Sequence, residues 1–133
     1  MSKCVFCKII SGEFSSYKVY EDQEILAFLD IAKDVDYHIL VVPKEHVCNI
    51  LDCSEQLLSK LMKVVKRISN HLVDNCGFTG VNILNASGES AGQSVPHFHI
   101  HLIARKENDG VDAWPKFEGA KLTLDEVLNR IKI

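Results

Sequence analysis

The chain has 133 residues, of which 47% are hydrophobic and 25% charged, and its formal net charge is −3, as in an ordinary globular protein that buries one sizeable core. The slightly acidic balance gives no electrostatic case for a protein that wraps duplex DNA, and no apolar run is long enough to span a membrane. No apolar export signal follows the first residues, so we expect a cytoplasmic protein.

The N-terminal segment carries the first chemical motif, a C-x-x-C formed by Cys4 and Cys7. Two thiolates from one tight turn are a frequent half of a tetrahedral zinc site, whereas no strand precedes the motif as a thioredoxin-like role would require. The chain has five cysteines, an odd number that is typical of reduced thiols rather than of a disulfide framework. Cys48 and Cys53 form a second candidate pair, so the residues alone leave the remaining ligands open.

Hydrophobic periodicity predicts the elements that follow. Residues 17–21 and 25–29 are separated by a polar break and predict a β-hairpin. Residues 38–42 are apolar on both parities, as in a central strand that is covered on both faces, and residues 80–84 predict another strand. Residues 52–74 follow a 3.6-residue period and predict a long helix.

The ends of the helices carry capping signals. Asp52 and Glu55 resemble a capping box at the start of the long helix, and Gly77 is expected to end it. Thr123 and Glu126 give the same signal for a last helix. Because strands and helices do not alternate regularly, we expect a single α+β domain with an antiparallel sheet and helices on one side of it.

Three of the six histidines lie at alternate positions, His97, His99 and His101. Side chains alternate along a strand, so the three imidazoles should project from one face. Burying three unpartnered polar rings is costly, which favours a functional site over a set of core histidines. The site has three interpretations: a metal centre, although no carboxylate is interleaved; a nucleotidyl transferase in which His99 attacks phosphorus; or a nucleotide-binding sensor with little turnover.

A nucleophilic histidine needs one free ring nitrogen, with the other protonated and held by an acceptor. A backbone carbonyl of the strand can supply that acceptor. The glycine- and serine-rich loop over residues 87–94 offers backbone N–H groups and hydroxyls to a phosphate. This loop lacks the ending of a P-loop, so by itself it indicates little.

Residues 97–103, His-Phe-His-Ile-His-Leu-Ile, resemble the motif of the histidine triad (HIT) superfamily, and residues 92–95 resemble its Hint branch. The likeness continues upstream through residues 28–31 and 38–46 and covers most of residues 4–105. It implies an α+β homodimer in which each subunit has a five-stranded antiparallel sheet, with one long and one or two short helices packed on it.

The resemblance also implies a domain organisation and an activity. A single domain would span residues 1–133, with a zinc-binding turn over residues 1–12 and a C-terminal tail and helix over residues 106–133. The activity is hydrolysis or transfer at the α-phosphate of nucleoside 5′-phosphoramidates, AMP esters or dinucleotide polyphosphates. The product would be a purine mononucleotide, AMP or GMP.

The catalytic roles follow from the same resemblance. His99 would be the nucleophile and form a nucleotidyl-histidine intermediate that water hydrolyses. His101 would contact the α-phosphate and help fix the tautomer of His99, and His38 would support the nucleophile from nearby. Gln93 and Ser94 would contact the phosphate and the leaving group, with Ser94 as the hydrogen-bond partner of the departing atom.

The resemblance assigns substrate contacts as well. Asp30 matches the residue that takes the ribose hydroxyls. Phe28 and Ile31 would form the apolar wall of the base site, although a plain core role is an equal alternative for both. Asn85 lines up only approximately with the asparagine of the family, as if the following loop were one residue longer.

The zinc ligands come from the resemblance too. Zinc-containing bacterial members of the family pair a C-x-x-C with one histidine after the V-x-P segment and with the first triad histidine. The implied site is structural, holds one zinc per chain and removes its triad histidine from proton transfer. The matching ligands are Cys4, Cys7, His46 and His97.

Overall fold

A five-stranded antiparallel sheet lies at the centre of the computed structural model, which describes residues 3–32 and 34–133. Its order is β1-β2-β3-β5-β4, and every neighbouring pair is antiparallel, which confirms the predicted α+β class. The strands are β1 (Lys18–Glu21), β2 (Ile25–Leu29), β3 (His38–Pro43), β4 (Gly80–Leu84) and β5 (Ile100–Arg105).

Three α-helices accompany the sheet: α1 (Val5–Ile10), α2 (Glu55–Cys76) and α3 (Leu124–Ile131). A 3-10 turn, Glu89–Ala91, lies in the loop before β5. No residue of α3 is buried, although its predicted capping box is present. None of these helices, in the part of the chain that the structure describes, has the length and apolarity needed to cross a membrane.

The two faces of the sheet are covered by different helices. Alternate residues of β2 and β3 pack with the apolar stripe of α2, and the intervening residues form a second cluster with Phe6 of α1. Helices α1 and α2 therefore lie on opposite faces of the sheet. The expectation that all helices lie on one side was wrong. The reason is that β2 and β3 are apolar at consecutive positions, so each face has to be shielded from water.

The start of α2 differs from the prediction. Ser54, and not Asp52, is the N-cap, and its hydroxyl accepts the backbone N–H of Leu57 at 3.1 Å. The Asp52 carboxylate instead accepts the backbone N–H groups of Cys48 and Asn49, both at 2.9 Å. These hydrogen bonds hold the pKa of Asp52 below its usual range. Asp52 therefore closes the turn that precedes the helix.

The end of α2 confirms the predicted stop signal. The helix continues to Cys76, and Gly77 follows it with a φ of 82° in the left-handed region. A residue without Cβ adopts this conformation at little cost, which is why glycine is common directly after a helix.

Replacement of Ser54 by alanine is expected to lower the free energy of unfolding by about 1 kcal/mol, because the N–H of Leu57 loses its acceptor. Ser59→Ala is the matched control, since it makes the same chemical change on the exposed surface of α2. It should leave stability unchanged or raise it by up to about 0.5 kcal/mol, because alanine has the higher helix propensity. Urea unfolding measures both variants. Equal stabilities would mean that Ser54 does not cap the helix.

Candidate functional site

The three triad histidines approach the sheet from an irregular segment and then enter β5. Only His101 lies inside β5, which begins at Ile100. The alternation expected of a strand persists through the irregular segment, because Phe98 and Ile100 join the core beneath α2. The rings of His97 and His99 lie on the opposite side, 5.9 Å and 5.1 Å from the ring of Phe6.

The orientation of the His99 ring is fixed by its own backbone neighbourhood. His99 Nδ1 lies 2.8 Å from the carbonyl oxygen of His97. A carbonyl can only accept, so Nδ1 carries the proton and donates it. In the neutral ring the lone pair is then on Nε2. The side chain is 6% exposed, so this tautomer is held in a largely buried setting.

Asn85 holds the same segment from the other side. Its Nδ2 donates to the carbonyl oxygen of His99 at 2.8 Å, and its Oδ1 accepts from the Ser87 hydroxyl at 2.8 Å. Both ends of the amide are therefore bound to protein. Asn85 therefore links the end of β4 to the backbone of His99, and its amide is not directed into a cleft.

Beside His99, two further histidines and an aspartate form a row of hydrogen-bonded side chains, Asp34, His38 and His101, which is called the histidine chain below. His38 stands at the start of β3, which pairs antiparallel with β5, and its Nε2 is 2.8 Å from Nδ1 of His101. On the other side of the ring, Nδ1 lies 3.0 Å from Asp34 Oδ1 and 3.6 Å from Asp30 Oδ2. The His101 ring is in turn 4.9 Å from the ring of His99.

The protonation states of His101 and Asp34 in the histidine chain follow from burial and from neighbouring charges. Burial, together with the neighbouring His99 and His38, lowers the pKa of His101 to about 4. His101 is therefore neutral at pH 7 and carries one ring proton. The hydrogen bond from His38 holds the pKa of the Asp34 carboxyl below its usual range, so Asp34 is ionised at the same pH.

A catalytic metal bound to the triad is the alternative interpretation of these groups. Asp30, His38 and His101 each have a ligand atom within 4.8 Å of the others. The carboxylates, however, face Nδ1 of His38 whereas His101 faces its Nε2. The ring thus lies between its partners, which is the geometry of a hydrogen-bond chain.

The predicted zinc ligands converge on one point. Their ligand atoms all lie within 4.8 Å of one another. Nδ1 of His97 is 3.3 Å from Cys4 Sγ, 3.5 Å from Cys7 Sγ and 3.1 Å from Nδ1 of His46. Standard zinc bond lengths give tetrahedral edges of about 3.4 Å between nitrogens and about 3.6 Å between nitrogen and sulfur. The observed separations therefore fit a tetrahedral zinc ion.

The surroundings of these ligands suit a cation as well. His97 Nε2 donates to the carbonyl of Pro43 at 2.8 Å, which turns the Nδ1 lone pair toward the cluster. Burial and the neighbouring Cys4 raise the pKa of the Cys7 thiol to about 11, so without a cation the two thiols would not both ionise at neutral pH. Within residues 3–32 and 34–133, the rival pair Cys48 and Cys53 joins no group of this kind.

Gln93 and Ser94, the two residues expected at the leaving group, differ in their surroundings: the first is bonded inside the loop and the second is exposed. Gln93 donates to the carbonyls of Cys48 and Val95 at 2.7 Å and 2.9 Å, and its Oε1 accepts the N–H of Gly88 at 2.8 Å. Its amide is thus engaged inside the loop and would have to change partners to contact a phosphate. Ser94 is exposed and lines a surface cleft together with Cys4 and His46, two of the predicted zinc ligands.

The residues expected to contact the nucleoside also differ in their exposure. Asp30 and Ile31 line an open cleft that His38 also lines, and Ile31 is 76% exposed there. Phe28 is only 3% exposed and packs edge-on against Phe6, with ring centroids 5.6 Å apart. Phe28 therefore has a core position beneath the site.

Sequence reasoning missed Asp34. It lies in the polar connection before β3, and the only signal available was an acidic residue four positions before His38. Aspartates are common in such connections, so the signal becomes informative only once the fold turns the carboxylate onto the ring.

Comparisons with known proteins agree with this geometry. The family model described as HIT domain matches residues 11–108. An uncharacterized HIT-like protein of Methanocaldococcus jannaschii is 45% identical over 130 residues, which cover 97% of this chain and 98% of that protein. An adenosine 5′-monophosphoramidase of Schizosaccharomyces pombe is 33% identical over 136 residues, with 97% and 98% covered.

A solved structure matches as well. The crystal structure of a Zn-bound histidine triad family protein from Mycobacterium smegmatis superposes with a TM-score of 0.79 at 32% identity, and the match covers 84% of this chain and 81% of that one. Sequence and structure comparisons therefore agree over most of the chain, and the chain belongs to the HIT family.

Proposed function

We propose that the protein is a nucleotide hydrolase or transferase that acts at the α-phosphate of nucleoside 5′-phosphoramidates, AMP esters or dinucleotide polyphosphates. The observation that carries this proposal is the buried His99 ring, whose Nδ1 is committed to the His97 carbonyl at 2.8 Å and whose Nε2 keeps its lone pair. The activity named for the S. pombe relative supports the same reaction class.

The reaction has two displacements at phosphorus. His99 Nε2 attacks the α-phosphorus, and the bond from phosphorus to the leaving nitrogen or oxygen breaks as a nucleotidyl-histidine forms. The ring gains positive charge in this step, and the His97 carbonyl stabilises that charge through the Nδ1 proton. The exposed hydroxyl of Ser94 would hydrogen-bond the departing atom. Solvent supplies the proton that a departing nitrogen takes up. Water then attacks the same phosphorus, the bond from phosphorus to His99 Nε2 breaks, and the attacking water gives up a proton to solvent. The nucleoside monophosphate leaves, and His99 returns to its neutral form.

The substrate is expected to lie between the histidines and the open cleft. Asp30 would take the ribose hydroxyls, and the exposed Ile31 would form the apolar wall under the base. Phe28 would support that wall from the core. His101 would contact the α-phosphate. These groups suit a purine mononucleotide, AMP or GMP, as the product.

The proposed cofactor is one structural zinc ion per chain. It would supply a closed tetrahedral link between the α1 turn and the segment that carries the nucleophile. No step of the reaction passes through it, because His97 commits Nδ1 to the cluster and Nε2 to Pro43. The proposed ligands are Cys4, Cys7, His46 and His97.

We infer further that residues 1–133 act as one domain and that two chains form a homodimer. The edge strand β4 has one unpaired side and exposes Ile83 by 49%, a combination that suits a subunit contact. Free cysteines suit a reducing, cytoplasmic setting.

Steady-state assays with adenosine 5′-phosphoramidate separate an enzyme from a nucleotide-binding sensor. We expect turnover of about 1 s⁻¹ or faster, with AMP as a product. An alkaline quench during turnover should trap one AMP on a peptide that contains His99, detectable by mass spectrometry, since a phosphorus–nitrogen bond survives base. AMP binding without turnover would favour the sensor instead.

A further inference from the structure

The carboxylate of Asp34 is the closest acidic group to the histidine chain, and the roles assigned above do not use it. Its Oδ1 lies 3.0 Å from Nδ1 of His38, whereas Asp30 Oδ2 is 3.6 Å from the same nitrogen. His38 is 7% exposed, so this contact joins a charged loop side chain to a buried ring. Buried imidazoles respond strongly to a neighbouring charge of this kind.

The contact restricts where protons can lie. An ionised carboxylate only accepts, so Nδ1 of His38 has to carry a proton. This excludes the tautomer of His38 that is protonated on Nε2 alone. Two forms remain: a neutral ring with a bare Nε2, and an imidazolium with a second proton on Nε2.

These two forms have opposite consequences for His101, which carries one ring proton at neutral pH because burial lowers its pKa to about 4. If His38 is neutral, His101 must donate from Nδ1 across the 2.8 Å contact, and its Nε2 has only a lone pair. If His38 is an imidazolium, it donates to Nδ1 of His101, whose Nε2 then carries an N–H. Only the second form offers a donor to an anionic phosphate.

We propose that Asp34 is a positioning residue, which favours the imidazolium form of His38 so that His101 presents an N–H to the α-phosphate. Asp34 acts through His38 and does not touch the substrate. Because the nearer carboxylate balances the charge on the ring, Oδ2 of Asp30 stays available to the ribose, while its Oδ1 accepts the backbone N–H of Ala32 at 2.8 Å. This inference rests on the proposed reaction for its catalytic part, whereas its proton part concerns His38 alone.

The charged and titratable groups that face this chain in the described residues are few. Asp30 and Asp34 face Nδ1 of His38 from the connection between β2 and β3. His101 faces its Nε2 from β5, and His99 faces His101. Among these groups the carboxylates favour the imidazolium, and the histidines oppose it when they are charged.

Titration of His38 by the ¹⁵N shifts of its ring tests the proton part without any turnover. In Asp34→Asn the amide can still accept a hydrogen bond but carries no charge. We expect the titration midpoint of His38 to fall by about one pH unit in this variant. Asp34→Glu should restore most of the shift, and Asp74→Asn, which removes the same charge from the exposed surface of α2, should leave the midpoint unchanged.

Kinetics test the catalytic part. For adenosine 5′-phosphoramidate we expect kcat of Asp34→Asn to fall about tenfold with KM changed less than twofold, as for an interaction made in the transition state. The alkaline limb of the pH profile should move to lower pH, so the loss should be smaller at pH 6 than at pH 8. Asp34→Glu should recover most of kcat.

The outcomes separate this inference from the proposed function. An unchanged His38 midpoint in Asp34→Asn overturns the inference, even if kcat falls, because the aspartate would then act on structure alone. A shifted midpoint with wild-type kcat overturns its catalytic part. If the wild-type protein hydrolyses nothing, the proposed function fails, and the titration still decides whether Asp34 charges His38.

Discussion

Replacement of His99 by alanine is expected to lower hydrolysis of adenosine 5′-phosphoramidate by about 10⁴-fold or more, since a covalent mechanism without its nucleophile keeps only the contribution of binding. Nucleotide affinity should change little, because Asp30 and Ile31, the proposed ribose and base contacts, are not altered. Steady-state rates and AMP binding by calorimetry measure the two effects. No AMP should be trapped on the variant after an alkaline quench.

The alanine variant leaves a cavity, because the His99 side chain is 6% exposed. His99→Asn is therefore the matched variant, as its amide can keep a hydrogen bond to the His97 carbonyl while offering no nucleophile. His71→Ala serves as the control, since His71 is exposed near the end of α2 and should retain full activity. Substantial turnover by a folded His99→Asn protein would rule out the covalent route.

Loss of one zinc ligand is the second large expected effect. The purified protein should contain about one zinc per chain, and Cys4→Ala should lose most of it, because three remaining ligands bind a tetrahedral ion far less tightly. We expect the Tm to fall by about 10 °C or more, since the proposed zinc ion would link α1 to the triad segment. Metal analysis and calorimetry measure the two quantities.

The control for this change is Cys76→Ala, which removes an exposed thiol from the last turn of α2. It should keep both the zinc content and the Tm of the parent. Below its Tm, Cys4→Ala should retain turnover within about tenfold of the parent, because no step of the proposed reaction uses the metal. Redox-active iron instead of zinc, with activity lost on its removal, would support a metal-dependent enzyme.

Most of the sheet could be predicted from the sequence because its signals are local. The polar break between two strand-like runs indicated the hairpin, residues 80–84 indicated β4, and the apolar run before Pro43 indicated the doubly covered β3. The start of α2 was predicted wrongly because Asp52 and Ser54 are both good capping residues. Which of the two is the N-cap depends on where the preceding turn closes, and that is a property of the fold.

The candidate site was predictable to a different extent at each residue. The spacing of the triad and the family resemblance indicated His99, and the structure brings the expected zinc ligands to one point. The internal bonding of Gln93 could not be predicted, since its partners include backbone carbonyls that carry no sequence signal. The contact of Asp34 with His38 could not be predicted from the sequence either, because it depends on the geometry of the loop before β3.

His97 contacts the proposed zinc site and the proposed nucleophile with different parts of one residue. Its imidazole faces the cysteines, while its backbone carbonyl holds the Nδ1 proton of His99. Any residue at position 97 has that carbonyl. In the course of evolution, a lineage could therefore exchange the metal and its ligands for ordinary packing without disturbing the polarity of the attacking ring, so gain or loss of zinc need not track gain or loss of catalysis.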